Sequence, residues 1–90
     1  MEFELETLVW DGFNSEHIKK HGLTKAEVEK ACVNHVSVYE SRVGRLILIG
    51  NTGNRFLSVV LANKGNKRYY PVTARVASRK ERKLLNEKIK

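Results

Sequence analysis

The alternation of apolar and polar positions begins with a short strand and a short helix. Residues 7–10 are mostly apolar and are followed by an Asp-Gly pair, so they predict a first strand that ends in a turn. Asn14 is then placed to cap a helix over residues 15–21. Gly22 follows that helix, and we expect it to end the helix in the left-handed conformation that glycine adopts at low cost.

A second helix is predicted by the spacing of two polar residues. Thr24 and Glu27 stand three positions apart, which is the spacing of a capping box, where each side chain bonds the backbone N–H of the other residue. We expect this helix to end at about residue 33. Its inward-facing side chains are expected to be Val28, Ala31 and Cys32.

Four later segments are rich in β-branched and aromatic residues and predict an antiparallel meander. They cover residues 36–40, 45–49, 55–62 and 67–74, and the breaks between them contain glycine or asparagine. A second capping-box pair, Ser78 with Glu81, predicts a final helix that runs to residue 90.

The last strand has two alternating sets of side chains. One set, Tyr70, Val72 and Ala74, is assigned to the core, which leaves Tyr69, Thr73 and Arg75 on the outer face. Pro71 shares the outer parity and has no N–H for a central ladder, so it predicts an unpaired edge or a bulge that disturbs this alternation.

The elements together predict one α+β domain over residues 1–90, with two N-terminal helices and a C-terminal helix around an antiparallel four- to five-stranded sheet. A chain of 90 residues with 41% hydrophobic content favours a small core and an open groove over a deep cavity. One cysteine excludes an internal disulfide and suits a reducing compartment. No apolar run is long enough for a membrane span, and the acidic start is no signal peptide. We therefore expect a soluble, cytoplasmic protein.

The net charge of +7 is concentrated late in the chain. Residues 1–63 carry 7 basic and 8 acidic side chains, whereas residues 64–90 carry 10 basic and 2 acidic ones. Such a field attracts polyanions, because neutralising phosphates releases their condensed counterions, so nucleic acid is the first candidate partner. The alternative is that these lysines and arginines only solvate a surface helix.

Short motifs along nearly the whole chain resemble the BrnT family of toxins. In the first half the matching residues are Trp10, Asp11, Asn14, His17 and the run Lys20, His21, Gly22, Leu23. In the second half they are Ile49, Gly50, Arg55, Leu57, Val59, Val60, then Val72, Thr73, Ala74, Arg75, Ala77, and the residues from Arg79 to Arg82. Their order and spacing, rather than any one motif, carry the resemblance.

The resemblance implies a RelE-like fold and a metal-independent ribonuclease that inhibits translation by cutting RNA. It also implies a heteromeric complex with a DNA-binding ribbon-helix-helix antitoxin, similar to BrnA. Three features depart from the family pattern. Thr73 stands where serine is frequent, Asn63 and Lys64 stand where the turn often carries an acid, and the connection over residues 34–44 looks shorter.

Metal-free RNA cleavage uses the 2′-hydroxyl of the substrate as nucleophile, so the protein must move protons and stabilise a charged phosphorane. Arginine suits the second task because its planar fork stays protonated and grips two phosphate oxygens. Arg75 is the first candidate, and it is expected to form an anion clamp with Arg55, Arg68, Tyr69 and Thr73. The alternative for Arg75 is a structural ion pair with an acid such as Glu81.

His17 and His21 lie four positions apart on one helix face and are candidates for general base or acid near neutral pH. The alternative for His21 is an interaction with the exposed carbonyls at the helix end. The spacing of the same pair would also suit two zinc ligands, but Cys32 and His35 are weak candidates for the third and fourth ligands. Cys32 is instead expected to be a buried thiol that packs the second helix. We therefore expect neither a metal nor another cofactor.

Several other side chains are candidates for contacting RNA. Trp10 either stacks on a base or fills the core, and Tyr69 is the favoured stacking surface. The basic residues expected to guide RNA, or to meet an acidic segment of the partner, are Arg79, Lys80, Arg82 and Lys83.

Two functions therefore compete. In the leading one, the chain is an RNA-cleaving toxin in which Arg75 and Arg55 stabilise charge while His17 or His21 transfers a proton. In the other, it is a non-catalytic module that binds nucleic acid or an acidic partner, and the missing acid of the turn marks a toxin relative that no longer cuts. Both predict phosphate affinity that weakens with salt, so only turnover separates them.

Overall fold

The computed structural model of the chain describes residues 7–41, 43–78 and 81. Within these residues, two helices stand between the first strand and the remaining four. The elements in chain order are β1 Thr7–Leu8, α1 Gly12–Lys20, α2 Lys25–Val33, β2 His35–Glu40, β3 Leu46–Asn51, β4 Phe56–Asn63 and β5 Arg68–Val76. These bounds confirm two N-terminal helices, a first strand and a four-stranded meander.

The five strands form one mixed sheet in the order β1-β5-β4-β3-β2. The meander from β2 to β5 is antiparallel throughout. β1 instead pairs with β5 in parallel, with Thr7 opposite Arg68 and Leu8 opposite Tyr69. The expectation of a wholly antiparallel sheet was therefore wrong. Parallel neighbours need a long connection, and here the two helices and three strands between β1 and β5 supply it.

α1 begins earlier than predicted because Asp11, not Asn14, is its N-cap residue. The Asp11 carboxylate accepts from the backbone N–H of Asn14, and the Asn14 side-chain oxygen accepts from the backbone N–H of Asp11. The Asn14 amide also donates to the carbonyl of Val9 at 3.0 Å. Asn14 is fully buried, so these bonds satisfy its polar atoms and connect the strand segment to the helix. Gly22 follows with φ of 73°, as expected of a helix-ending glycine.

α2 forms as its capping box predicted. The Thr24 hydroxyl accepts from the Glu27 backbone N–H, and the Glu27 carboxylate accepts from the Thr24 backbone N–H. The helix packs closely on β3 at Gly50, where any added Cβ would collide with the backbone carbonyl of Ala31. Glycine is therefore required at this contact.

Both helices cover one side of the sheet and form the main core with it. The helix residues in this core are Ile18, Val28, Ala31 and Cys32, and Leu23 joins them from the connection between the helices. The strand residues are Leu46, Leu48, Leu57, Val59, Leu61, Tyr69 and Ala74. A smaller cluster, Ile49 and Ala77 with Phe56 packed against it, holds the segment after β5. The inward positions predicted for α2 are thus confirmed.

β5 contains a bulge next to Pro71. Leu61 pairs with Pro71 and Val60 pairs with Thr73, so Val72 is an extra residue on this strand. The alternation predicted for the strand breaks at that point. Tyr69 is only 9% exposed and lies in the core, contrary to its predicted outer position, while Tyr70 is half-buried. Ala74 is buried as expected.

The predicted capping box after β5 is also present. The Ser78 backbone N–H donates to the Glu81 carboxylate at 2.8 Å, and the Glu81 backbone N–H donates to the Ser78 hydroxyl at 3.2 Å. The predicted C-terminal helix otherwise lies outside the described residues, as do four RNA-contact candidates, Arg79, Lys80, Arg82 and Lys83. Among the described helices, none is long and apolar enough to cross a membrane.

Cys32 is the chain's single cysteine, and this residue is 1% exposed in the core. Burial, with a smaller contribution from the charge of Glu29, raises the pKa of this thiol to about 12. At pH 8 only about one thiol in ten thousand is then ionised, and the thiolate is the reactive form. We expect iodoacetamide to leave the folded protein unmodified at pH 8 while it alkylates Cys32 in denaturant, which mass spectrometry can follow. Equal labelling rates in both states would contradict this burial.

Candidate functional site

α1 lies beside β5, and this packing brings three of the candidate residues together. The His17 Nε2 atom is 2.9 Å from the Thr73 hydroxyl oxygen. The rings of His17 and His21 are tilted by 58°, with centroids 5.1 Å apart. Thr73 is two residues before Arg75 on the same strand, so both imidazoles lie near the strand that carries the first arginine candidate.

The hydrogen bond to Thr73 fixes the orientation of the His17 ring. The Nε2 atom either accepts from the threonine hydroxyl or donates to it, depending on the tautomer. His17 is half-buried, whereas His21 follows α1 as its C-cap residue and is exposed. The His21 backbone N–H bonds the carbonyl oxygen of Ile18, which continues the helix by one residue. An oriented imidazole at a partly open surface is suited to proton transfer near neutral pH.

The Arg75 side chain is exposed, and its guanidinium is held by an ion pair. Its Nη1 atom lies 2.9 Å from the Glu81 carboxylate, and 53% of the side chain remains exposed. Only 13% of the Glu81 side chain is exposed. The alternative considered for Arg75, an ion pair with Glu81, is thus present, and it leaves the guanidinium at the surface.

Glu81 keeps its charge at this position. Burial raises the pKa of its carboxyl, but hydrogen bonds from the Ser78 backbone N–H and from the hydroxyls of Ser58 and Ser78, with the charge of Arg75, outweigh it and lower the pKa overall. Ser58 is buried on β4 directly opposite Arg75. A fixed carboxylate of this kind holds the Arg75 fork in one direction.

Arg55 has a different partner from Arg75. Its Nη2 and Nε atoms bond one carboxylate oxygen of Glu27 at 2.8 Å and 3.2 Å, and Nη2 also reaches the carbonyl of Gly22. These contacts direct Arg55 towards the start of α2, whereas Glu81 holds Arg75 beside Ser58. The structure therefore does not bring the two guanidinium groups into one clamp.

The aromatic candidates occupy different environments. Tyr69 is a core residue, and Trp10 is half-buried against the core, with its indole N–H donating to Glu29 at 3.0 Å. Arg68, beside Tyr69, is exposed opposite Thr7 of β1. Of the two interpretations of Trp10, core packing therefore accounts for the buried part of its side chain.

Tyr70, rather than Tyr69, presents a polar edge near the start of α1. Its hydroxyl donates to both carboxylate oxygens of Asp11, at 3.0 and 3.1 Å, and Lys64 Nζ lies 5.4 Å from its ring centroid. The hydrogen bond from the Asn14 backbone N–H is the main cause that lowers the pKa of Asp11, and Tyr70 adds to it. Partial desolvation and the bond to Asp11 raise the pKa of Tyr70.

Two shallow grooves adjoin the candidate residues. One has a volume of about 240 Å³ and is lined by Gly12, Phe13, Glu16, His17 and Lys20. The other, about 310 Å³, is lined by Asn51, Gly53, Asn54, Arg55, Phe56 and Val76. Phe13, in the first of these grooves, is 79% exposed and was not among the residues predicted from the sequence. With the start of α1 known, an apolar residue on the polar side of the helix would have been the signal for it.

No group of three or more His, Cys, Asp and Glu side chains within the described part of the chain is arranged to hold a metal ion. Cys32 and His35, the weak candidates for further zinc ligands, contact each other through a hydrogen bond to the backbone. The His35 Nδ1 atom lies 2.9 Å from the backbone carbonyl oxygen of Cys32, while the thiol itself faces the core.

The fold has a clear counterpart among solved structures. The crystal structure of the Brucella abortus ribonuclease toxin BrnT superposes with a TM-score of 0.65 and 25% sequence identity, covering 81% of this chain and 97% of the toxin chain. The chain is BrnT-like. Searches of protein-family profiles and of curated protein sequences find no match. The BrnT-like architecture agrees with the resemblance seen in the sequence.

Proposed function

We propose that this protein is a ribonuclease toxin of a toxin-antitoxin pair, which cleaves RNA without a metal ion and thereby inhibits translation in the cytoplasm. The observation that carries the proposal is the His17–Thr73 contact two residues from Arg75, on a fold similar to a ribonuclease toxin. An imidazole and an exposed guanidinium on adjacent elements are the groups that metal-free phosphodiester cleavage requires.

In the proposed mechanism, the 2′-hydroxyl of the RNA attacks the adjacent phosphorus, and the bond to the 5′-oxygen of the next nucleotide breaks. His17 accepts the proton of the 2′-hydroxyl, and Thr73 is a positioning residue that orients the imidazole. Arg75 stabilises the negative charge of the phosphorane. His21, whose ring lies next to that of His17, protonates the leaving oxygen.

Arg55 has a secondary role in this scheme. Its ion pair with Glu27 connects the turn before β4 to α2, and its side chain lines the groove that also contains Val76, the neighbour of Arg75. We assign Arg55 and Arg68 to contacts with RNA phosphates away from the cleaved bond. Arg79, Lys80, Arg82 and Lys83 contribute to the same positive field, and Trp10 and Tyr69 support the surface from the core.

The proposal includes a protein partner. A free ribonuclease of this kind stops growth of its host, so we propose a BrnA-like ribbon-helix-helix antitoxin that covers the site in a heteromeric complex, on a RelE-like toxin fold. Co-expression of the two chains restores growth if the antitoxin covers the site, and a small reading frame next to that of this protein is the first place to look for it.

Cleavage in the presence of a chelator tests the proposal directly. Purified full-length protein in EDTA is expected to cut RNA, either free or bound to ribosomes, and gel analysis of end-labelled message shows the products. Unchanged RNA at a large excess of protein would contradict the proposal. That result would favour the non-catalytic binding module, to which the missing acid at Asn63 and Lys64 already points.

His17 should contribute directly to the rate of cleavage. We expect His17→Gln to lower the cleavage rate by about 100-fold, the lower end of the usual contribution of a general base, while His21 still serves as the acid. His35→Gln is a matched control, since His35 bonds the Cys32 carbonyl at a different place in the fold. A wild-type cleavage rate in His17→Gln would remove His17 from the mechanism.

A further inference from the structure

The exposed side of α1 carries an aromatic ring that the fold does not use for packing. Phe13 is 79% exposed, and it lies in the first turn of a helix whose buried residues are Asn14 and Ile18. Transfer of the apolar surface of a phenylalanine ring from water into an apolar contact is favourable, so a ligand that covers the ring gains binding free energy.

The surroundings of Phe13 are polar and follow the helix period. Glu16, His17 and Lys20 lie three, four and seven positions after Phe13, so all four side chains share one side of α1. They line the groove of about 240 Å³ together with Gly12, where an added Cβ would have nothing within 4 Å. The groove thus offers a flat apolar surface, an ammonium group, an imidazole and a carboxylate within one helix length.

We propose that this groove is a nucleobase subsite, in which a base of single-stranded RNA stacks on Phe13 while the neighbouring phosphate contacts Lys20. The inference rests on the proposed ribonuclease function and adds the position of the substrate. Aromatic rings stack on bases of any sequence, and the cation beside the ring attracts the backbone. Glu16 has only acceptor oxygens, so it fits the amino edge of a base and repels phosphate, which places the base at the Phe13 end.

RNA suits the groove better than a protein segment does, because the groove continues into the candidate site. His17 lines the groove and also bonds Thr73. A nucleotide whose base covers Phe13 therefore has its sugar and phosphate next to the imidazole. The last turn of α1 carries Lys19 and Lys20, whose positive charges complement a phosphate chain.

Stacking can be measured without cleavage. Short 2′-O-methyl RNA oligomers lack the nucleophile, and 2-aminopurine placed at successive positions loses fluorescence where it stacks on an aromatic ring. We expect quenching at one position with the wild-type chain. Phe13→Ala should abolish that quenching and weaken binding by about 5- to 100-fold, whereas Phe13→Trp should retain both. Val43→Ala, another exposed apolar residue at 77% exposure, is the control and should leave both unchanged.

The outcomes separate this inference from the ribonuclease proposal. Quenching that depends on Phe13 in a chain that never cuts RNA supports the base subsite and refutes the ribonuclease. Cleavage that continues while Phe13→Ala binds the oligomers as tightly as wild type, with the same quenching, overturns the subsite alone. Failure of the wild-type chain to bind any oligomer also overturns the subsite. If Phe13→Ala binds the oligomers as tightly as wild type but binds a protein partner less well, the ring belongs to that partner instead.

Discussion

Replacing Arg75 with alanine is expected to lower the RNA cleavage rate by about 100- to 1000-fold while the protein stays folded. Loss of one preorganised donor to a developing anion has an effect of this size in other enzymes. The stability effect should be small, because 53% of the side chain is exposed and Glu81 keeps its bonds to Ser58 and Ser78. Single-turnover cleavage of a labelled RNA measures the rate, and circular dichroism confirms the fold.

Two further variants make the Arg75 result specific. Arg75→Lys keeps the positive charge but lacks the planar fork, so it should fall between wild type and alanine. Arg45→Ala removes an exposed arginine at the turn before β3, and we expect it to cleave at the wild-type rate. Equal losses in Arg45→Ala and Arg75→Ala would show that only the net charge of the chain matters.

Gly50→Ala should destabilise the protein by at least about 3 kcal/mol, the upper end of the range for overpacked cores. The added Cβ meets the backbone carbonyl of Ala31, and the backbone of a helix cannot move aside as a flexible side chain does. α2 would have to separate from β3, which exposes Val28 and Cys32. Urea denaturation followed by circular dichroism measures the change in the free energy of unfolding.

Gly12→Ala is the matched control for this substitution. An added Cβ at Gly12 has nothing within 4 Å, and the residue is helical, so we expect a change of less than about 1 kcal/mol and in the stabilising direction. If both glycine variants unfold at the same urea concentration as wild type, the close approach of α2 to β3 is not as described.

The elements that could be predicted from the sequence are those set by local chemistry. Both capping boxes, at Thr24 with Glu27 and at Ser78 with Glu81, form as their spacing indicated. The start of α1 could not be located in this way, because Asp11 and Asn14 are both good capping residues. The decision depends on the Asn14 amide reaching the Val9 carbonyl in a buried position, which local spacing does not reveal.

The features that could not be predicted depend on partners distant in sequence. The burial of Tyr69 follows from the bulge, which is defined only once β5 is paired with β4. The parallel direction of β1 likewise depends on which strand occupies the sheet edge. For the candidate site, the chemistry of His17, Thr73 and Arg75 could be inferred from the sequence, but their proximity in the fold could not. The contact between His17 and Thr73 joins residues 56 positions apart.

The extra residue on β5 has a consequence for sequence alignment. A relative that is one residue shorter in this strand keeps every pair with β4 if the missing residue corresponds to Val72, because Pro71 and Thr73 already oppose consecutive residues. A gap drawn further along would shift Ala74 and Arg75 by one place and exchange their sides of the sheet. Homologues should therefore be aligned with the deletion at position 72, so that their arginines are compared with Arg75.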